Sequence, residues 1–160
     1  MASAPLSLSE LTKEMLMNQV WTDGACEPNP GTGGWGYLLQ TETGLVREDC
    51  GGEIETTNNR MELTAILMAL KALPDGAMAV IYSDSQYCVN GMTVWSKGWK
   101  RRQWHKKDGS PMPNRDLWLA LNEADKRVRA TYKWVRGHAG NAGNERADVL
   151  ASIGRSGVLS

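Results

Sequence analysis

Met78-Ala79-Val80-Ile81-Tyr82-Ser83-Asp84 is the stretch that decides the fold. Its first five residues are apolar on both parities, as in a central strand with one side under helices and the other against packed neighbours. Asp84 stands just past the carboxyl end of that strand. In open α/β sheets that end, close to where strand order switches, is where sites gather. An acid abutting a fully apolar strand is desolvated unless something cationic lies near, so Asp84 is a candidate functional residue.

Upstream, strand signals run from Asn18 to Gly24 and again from Trp35 to Thr41. Between them the segment Glu27-Pro28-Asn29-Pro30-Gly31-Thr32-Gly33-Gly34 is dense in turn formers. Gly44 supplies a tight turn, and Leu45 to Glu55 reads as a third strand with Val46, Cys50 and Ile54 on one parity. Three sequential strands with short links predict an antiparallel meander. Asn58 then reads as an N-cap, and Leu63, Ile66, Leu67, Leu70 and Leu73 form a helical apolar stripe ended by Pro74. A helix crossing over from the meander to the Met78 strand makes that pairing parallel, so the sheet is mixed.

Downstream, Ser85 to Thr93 reads as a short helix. Pro111, Pro113 and Asn114 introduce another, with Leu117, Leu121, Ala124 and Val128 on one face. Thr131 to Val135 is the last strand, and a Gly/Asn loop leads into a short helix at Asn144. Residues 1–17, with a weakly helical Ser9 to Leu16, read as an N-terminal appendage; 18–155 form one domain and 156–160 a tail.

The length of 160 residues fits one domain with a real core, and 41% hydrophobic with 22% charged residues excludes a disordered or fibrous chain. Formal net charge is zero, so any nucleic-acid affinity must come from local patches. Cys26, Cys50 and Cys88 are odd in number and share no CxxC spacing, which argues against a disulfide framework or a zinc site. No secretory h-region or bilayer-spanning apolar run occurs, and a reducing cytosol is the expected compartment.

Four acids carry the chemistry: Asp23 in Val20-Trp21-Thr22-Asp23-Gly24, Glu62 in Asn58-Asn59-Arg60-Met61-Glu62-Leu63, Asp84, and Asp148 in Asn144-Glu145-Arg146-Ala147-Asp148. Two follow strand-like runs and two fall in first turns of predicted helices. For Glu62 and Asp148 the helix dipole alone is a sufficient explanation. Together, the four predict one acidic cluster for hard divalent cations, which take oxygen ligands, and paired ions of this kind drive in-line displacement at phosphate.

His138 sits on a glycine-flanked loop ten residues before Asp148, a setting suited to moving protons or releasing product. From Trp95 to Lys107 the chain is basic and aromatic, with Lys97, Lys100, Arg101, Arg102, Lys106 and Lys107 interleaved by Trp95, Trp99 and Trp104. A solvated amphipathic helix with its tryptophans in the core is the plainer explanation, above all for Trp95. The charge density favours nucleic acid, through counterion release and stacking. Asn29, Asn58, Asn59 and Gln86 adjoin the acids in sequence, where amides can bond ribose 2′-hydroxyls.

Taken together, these segments resemble bacterial type 1 ribonuclease H over roughly Gln19 to Ser152. The resemblance is carried by Thr22-Asp23-Gly24-Ala25-Cys26 with Asn29-Pro30-Gly31 and Gly33-Gly34, Thr57-Asn58-Asn59-Arg60-Met61-Glu62-Leu63, Ser83-Asp84-Ser85-Gln86-Tyr87, and Trp134-Val135-Arg136-Gly137-His138-Ala139-Gly140 with Asn144 to Asp148. It implies the α/β ribonuclease H-like fold, a five-stranded mixed sheet in order 3-2-1-4-5 with helices on both faces. It also implies endonucleolytic, two-metal-ion hydrolysis of the RNA strand of RNA/DNA hybrids, leaving 5′-phosphate and 3′-hydroxyl ends.

On this resemblance Asp23, Glu62, Asp84 and Asp148 are the metal-binding catalytic carboxylates. Two Mg²⁺ ions share Asp23, Asp148 helps hold the water-activating one, and Mn²⁺ is a substitute. His138 matches the family's loop histidine. Trp95, Trp99, Lys100, Arg101 and Arg102 match its DNA-gripping protrusion, Thr57 and Asn114 its DNA-phosphate pocket, and Cys26, Asn29, Asn58, Asn59 and Gln86 positions lining the RNA strand. A cytoplasmic monomer without an obligate protein partner is implied.

His105 departs from the usual Lys or Arg, and Glu27 is an acid near the site without an assigned role. Other classes are weighed by single features. A DEDD-type exonuclease requires Glu two residues after the first Asp, where this chain has Ala25. A hybrid-binding module without catalysis usually lacks a carboxylate, and a retroviral-type domain is tethered to a polymerase.

Overall fold

A single mixed sheet of five strands runs through the protein, and with the strands numbered along the chain its order is 3-2-1-4-5, as the resemblance implies. The computed structural model describes residues 5, 7–9 and 17–160, so the helix read over 9–16 lies, beyond Ser9, outside the described residues. β1 (Asn18–Cys26), β2 (Gly31–Gln40) and β3 (Val46–Thr56) form the antiparallel meander. β4 (Met78–Ser83) lies parallel between β1 and β5 (Arg129–Trp134), and Ala79, Val80 and Ile81 are buried there.

Helix α1 (Asn58–Ala72) covers one face of the sheet and α5 (Ala142–Leu159) the other. Alternate residues of β1 point to opposite faces. Gly24 abuts the backbone of Met61 and Glu62 in α1, whereas Trp21 lies against Gly143 in α5. Leu63, Ile66, Leu67, Leu70 and Leu73 are all buried, each contributing about 1.5–3 kcal/mol of hydrophobic stabilisation. Around the α1 face, α2 (Gln86–Asn90), a π-helical turn (Gly91–Trp95) and α3 (Ser96–Arg101) run on from one another, and α4 (Arg115–Lys126) packs Trp118 and Leu121 into the core.

Several expectations are corrected. The cap of α1 is Thr57, whose Oγ1 accepts from Arg60 N at 3.1 Å, and Asn58 is the first helical residue. Glu62 is therefore the fifth residue of α1 and Asp148 the seventh of α5, so both sit in second turns, beyond the strongest effect of the helix dipole. β2 starts at Gly31 rather than Trp35. The helical run beginning at Gln86 extends past Thr93 to Arg101, and Leu117 is only partly buried. Val46 and Ile54 are exposed on edge strand β3.

The largest difference is α5, which spans 18 residues; residues 156–159 are its last turn and not a tail beyond it. Small residues make that helix possible. A Cβ on Gly36 would lie 2.5 Å from that of Leu150, and one on Gly154 would collide with the Gly51 carbonyl. Backbone meets backbone across this layer, so the buried face of α5 is built mostly from small residues, Gly143, Ala147, Ala151 and Gly154, where that of α1 is built from leucines and isoleucine.

Candidate active site

Asp23 lies near the carboxyl end of β1, and Asp84 one residue beyond the parallel β4. Both acids thus emerge at the same end of the sheet. Glu62 reaches them from α1, because Gly24 lets that helix touch β1. One carboxylate oxygen from each of Asp23, Glu62 and Asp84 lies within 4.8 Å of the others. Asp148, from α5, adjoins Asp23 and helps raise its carboxyl, but it stands outside that three-acid group. All four line one cleft of about 470 Å³, together with His138, which is exposed on its loop with a left-handed backbone (φ 55).

Asp84 is held on three sides. Trp134 Nε1 donates to its carbonyl oxygen at 3.0 Å, Asn144 Nδ2 donates to its Oδ2 at 3.3 Å, and Gly137 leaves room for it. A Cβ on Gly137 would lie 2.8 Å from Asp84 Oδ2. Neither Asn144 nor Gly137 received a role from the sequence. Asn144 occupies a first-turn position in α5 that reads as ordinary helix-start chemistry.

Burial pushes the Asp23 carboxyl up to about 7, with the charge of Asp84 adding to the rise while the Glu62 and Gly24 hydrogen bonds oppose it. Glu62 is held well above the usual carboxylate range, first by burial and then by the charge of Asp23. Glu62 Oε2 is buried without a hydrogen-bond partner. Such an oxygen is costly unless a cation or a proton satisfies it. Clustered carboxylates with one orphaned oxygen fit a hard divalent cation.

The other candidates divide between two neighbouring hollows. Cys26, Asn58 and Asn59 line the carboxylate cleft. Cys26 N donates to Asn58 Oδ1 at 2.7 Å, and Asn58 N donates to Asn29 Oδ1 at 3.1 Å, which ties the loop after β1 to the start of α1. Gln86 is exposed at the start of α2 and does not line the cleft, whereas Ser85 does.

The second hollow, about 460 Å³, is lined by Asn59, Tyr87, Trp99, Arg102, His105 and Asn114 among others. Asn114 is fixed there by its Nδ2 donating to Tyr87 Oη at 3.2 Å and its Oδ1 accepting from Arg60 Nη1 at 3.4 Å. Thr57 is the nearby helix cap. Trp95, for which a core position was the plainer expectation, is 41% exposed, and Trp104 is the buried one. Trp99 packs against Trp118 with ring centroids 4.9 Å apart and planes tilted by 59°. Lys100, Arg101 and Arg102 are exposed.

Beyond Asp148 the cleft continues along α5 past Ser152, Arg155 and Ser156. Arg155 Nε donates to Thr32 O at 3.1 Å and Nη2 to Glu27 O, so the otherwise unassigned Glu27 serves through its backbone. No motif signals Arg155.

The RNase H family model matches residues 16–156. A ribonuclease H of Hyphomonas neptunium is 50% identical over 142 residues, covering 89% of this chain and 94% of that protein. One from Pseudomonas entomophila is 51% identical over 136 residues, covering 85% and 91%. Among solved structures, LC9-RNase H1, described as a type 1 RNase H with the type 2 active-site motif, superposes with a TM-score of 0.79 at 32% identity, covering 88% of this chain and 72% of that one. LC11-RNase H1, solved with an RNA/DNA hybrid, shares the fold at 23% identity and a TM-score of 0.67, covering 89% and 99%. A match across nearly the whole folded region, shared with relatives of half-identical sequence and similar length, means that the chain belongs to the ribonuclease H family.

Proposed function

We propose that the protein is an endoribonuclease that hydrolyses the RNA strand of RNA/DNA hybrids, leaving 5′-phosphate and 3′-hydroxyl ends, with Mg²⁺ as its ion and Mn²⁺ as a substitute. The observation that carries this reading is Glu62 Oε2, buried without a partner beside Asp23 and Asp84 at the carboxyl end of the sheet. Two divalent ions bound there would supply charge neutralisation at the scissile phosphate and an activated water.

The chain's own residues do the rest. Asp23, Glu62 and Asp84 would hold the ions, and Asp148, which lines the same cleft beside Asp23, would complete the set. His138, at the rim of the cleft, exchanges a proton with the departing 3′-oxygen. Cys26, Asn29, Asn58 and Asn59 present amide and backbone groups to ribose on the cleaved strand. Asn59 borders both hollows, so a duplex straddling the start of α1 places its second strand against Asn114, Trp99 and Arg102. Gln86, exposed nearby, and Thr57 complete those two contact sets. Three free cysteines suit a reducing cytoplasm, where we place the protein as a monomer. Among the described residues no helix is long and apolar enough to cross a membrane.

The test is incubation with hybrid, duplex RNA, duplex DNA and single strands, each with Mg²⁺ or chelator. Hybrid alone should be cut, only with metal, and Asp84→Asn should abolish turnover while leaving hybrid binding largely intact. Cleavage of duplex RNA, or turnover retained in Asp84→Asn, would falsify the reading.

A further inference from the structure

We infer that Arg155 forms a phosphate subsite for the cleaved strand, next to the carboxylates; this rests on the reading of hybrid hydrolysis and extends it. Arg155 follows Asp148 by seven residues on α5, two turns along the same helical face and roughly 10 Å on. Ser152 stands between them at the i+4 position, and all three side chains line the cleft that holds Asp23. A strand whose scissile phosphate sits at the carboxylates therefore passes over Arg155.

The guanidinium is prepared for an anion. It is half-buried, and the carbonyls of Thr32 and Glu27 hold it through Nε and Nη2. An arginine carries five N–H donors in a rigid plane, so those two bonds fix the fork and leave donors for a ligand. Both partners are neutral carbonyls; the bond to Glu27 is to its backbone and not to its carboxylate, so the positive charge is not consumed.

Charge balance across the cleft points the same way. Its lining includes Asp23, Glu27, Glu62, Asp84 and Asp148, and Arg155 is the one lysine or arginine among its lining residues. Bound cations offset the scissile phosphate, yet the strand brings further phosphates into the same acidic surroundings. Arg155 is the group available to receive one of them, through a charge-assisted hydrogen bond of the kind arginine makes with phosphate oxygens. The plainer alternative is a clamp that only fastens the Glu27–Thr32 loop to α5.

A neutral-phosphate scan separates the two. The RNA strand of a hybrid with one cleavage site would carry single methylphosphonates, each 3′ of one 2′-deoxynucleotide, with deoxy-only strands as controls. Wild type should lose about 10- to 100-fold in kcat/KM at one position flanking the scissile bond, the scale of one hydrogen bond to a charged group. Arg155→Gln should show a comparable loss on the unmodified hybrid, chiefly through KM, and no further loss at that position. Its log–log salt slope should be shallower by about 0.7–0.9. Arg155→Lys, which keeps the charge, should retain part of the sensitivity.

Identical methylphosphonate profiles for wild type and Arg155→Gln would leave Arg155 as a clamp alone. The wild-type scan also decides without any variant: indifference to every flanking phosphate ends the subsite. Failure of wild type to cut the hybrid at all would instead defeat the functional reading beneath it.

Discussion

Asn144 Nδ2 donates to Asp84 Oδ2 at 3.3 Å, linking the first turn of α5 to the acid that follows β4. Asn144 is itself fixed: it is buried, and its backbone N–H donates to Asn141 Oδ1, the cap of the helix, at 2.9 Å. A hydrogen bond to a charged group is worth about 1.5–3 kcal/mol. Asn144→Ala should therefore lower kcat/KM on a hybrid by roughly 10- to 100-fold with the fold intact by circular dichroism. Asn144→Asp should cost more, since it sets another carboxylate against Asp84. Wild-type kinetics in Asn144→Ala would show that Asp84 needs no such support.

Gly137 acts on the same carboxylate by being small. The Cβ of an alanine there would stand 2.8 Å from Asp84 Oδ2, so either the loop or the carboxylate must move. Gly137→Ala should raise the Mg²⁺ concentration needed for half-maximal cleavage several-fold, with a smaller change in the KM for hybrid. A metal titration reads this directly, and an unshifted midpoint would count against it.

The buried acids make stability and activity pull in opposite directions. Asp23 titrates at 3.8 in an unfolded chain and at about 7 in the fold, where burial disfavours its charge. Between those values the folded state holds a proton that the unfolded chain has lost, so this group's contribution to stability falls as pH rises from about 4 to 7. Glu62 is displaced the same way. In chelator, Glu62→Gln should raise stability at pH 7.5 and flatten the pH dependence, because the variant no longer buries a carboxylate that resists its charge. The same change should abolish cleavage. Saturating Mg²⁺ should stabilise wild type and not the variant, because a ligand of the native state shifts unfolding by mass action. Thermal melts at pH 5 and 7.5, with and without Mg²⁺, measure all of this.

What could be read in the chain depended on whether side chains or backbones make the contact. The leucine stripe of α1 and the apolar β4 run are side-chain packing, and both fall where their periodicity places them. The α5 layer is backbone packing: Gly143, Ala151 and Gly154 face Trp21 and the glycines of β2 and β3, and small residues of that kind read as turn over Gly31 to Gly34 and as a short helix at Asn144. In the site, each acid was visible from its own local setting. Its partners were not, because Asn144, Gly137 and Arg155 take their meaning from residues 53 to 128 positions away.

The exposed face of the basic segment carries the last expectation. Trp99 is braced by Trp118 and by Trp104, whose ring centroid lies 6.1 Å away, so α3 is anchored while Lys100, Arg101 and Arg102 remain at the surface. Arg102 also lines the hollow that ends at Asn114. None of the three approaches the carboxylate cleft, so neutralising all of them should raise KM for hybrid more than it lowers kcat. If each neutralises one phosphate, the triple variant should flatten the slope of log(kcat/KM) against log[salt] by about 2 to 3, since each contact contributes about 0.9 on duplex. An unchanged slope would place the second strand on another surface. A fall in kcat alone would mean that α3 positions the catalytic end of the sheet instead of gripping the duplex.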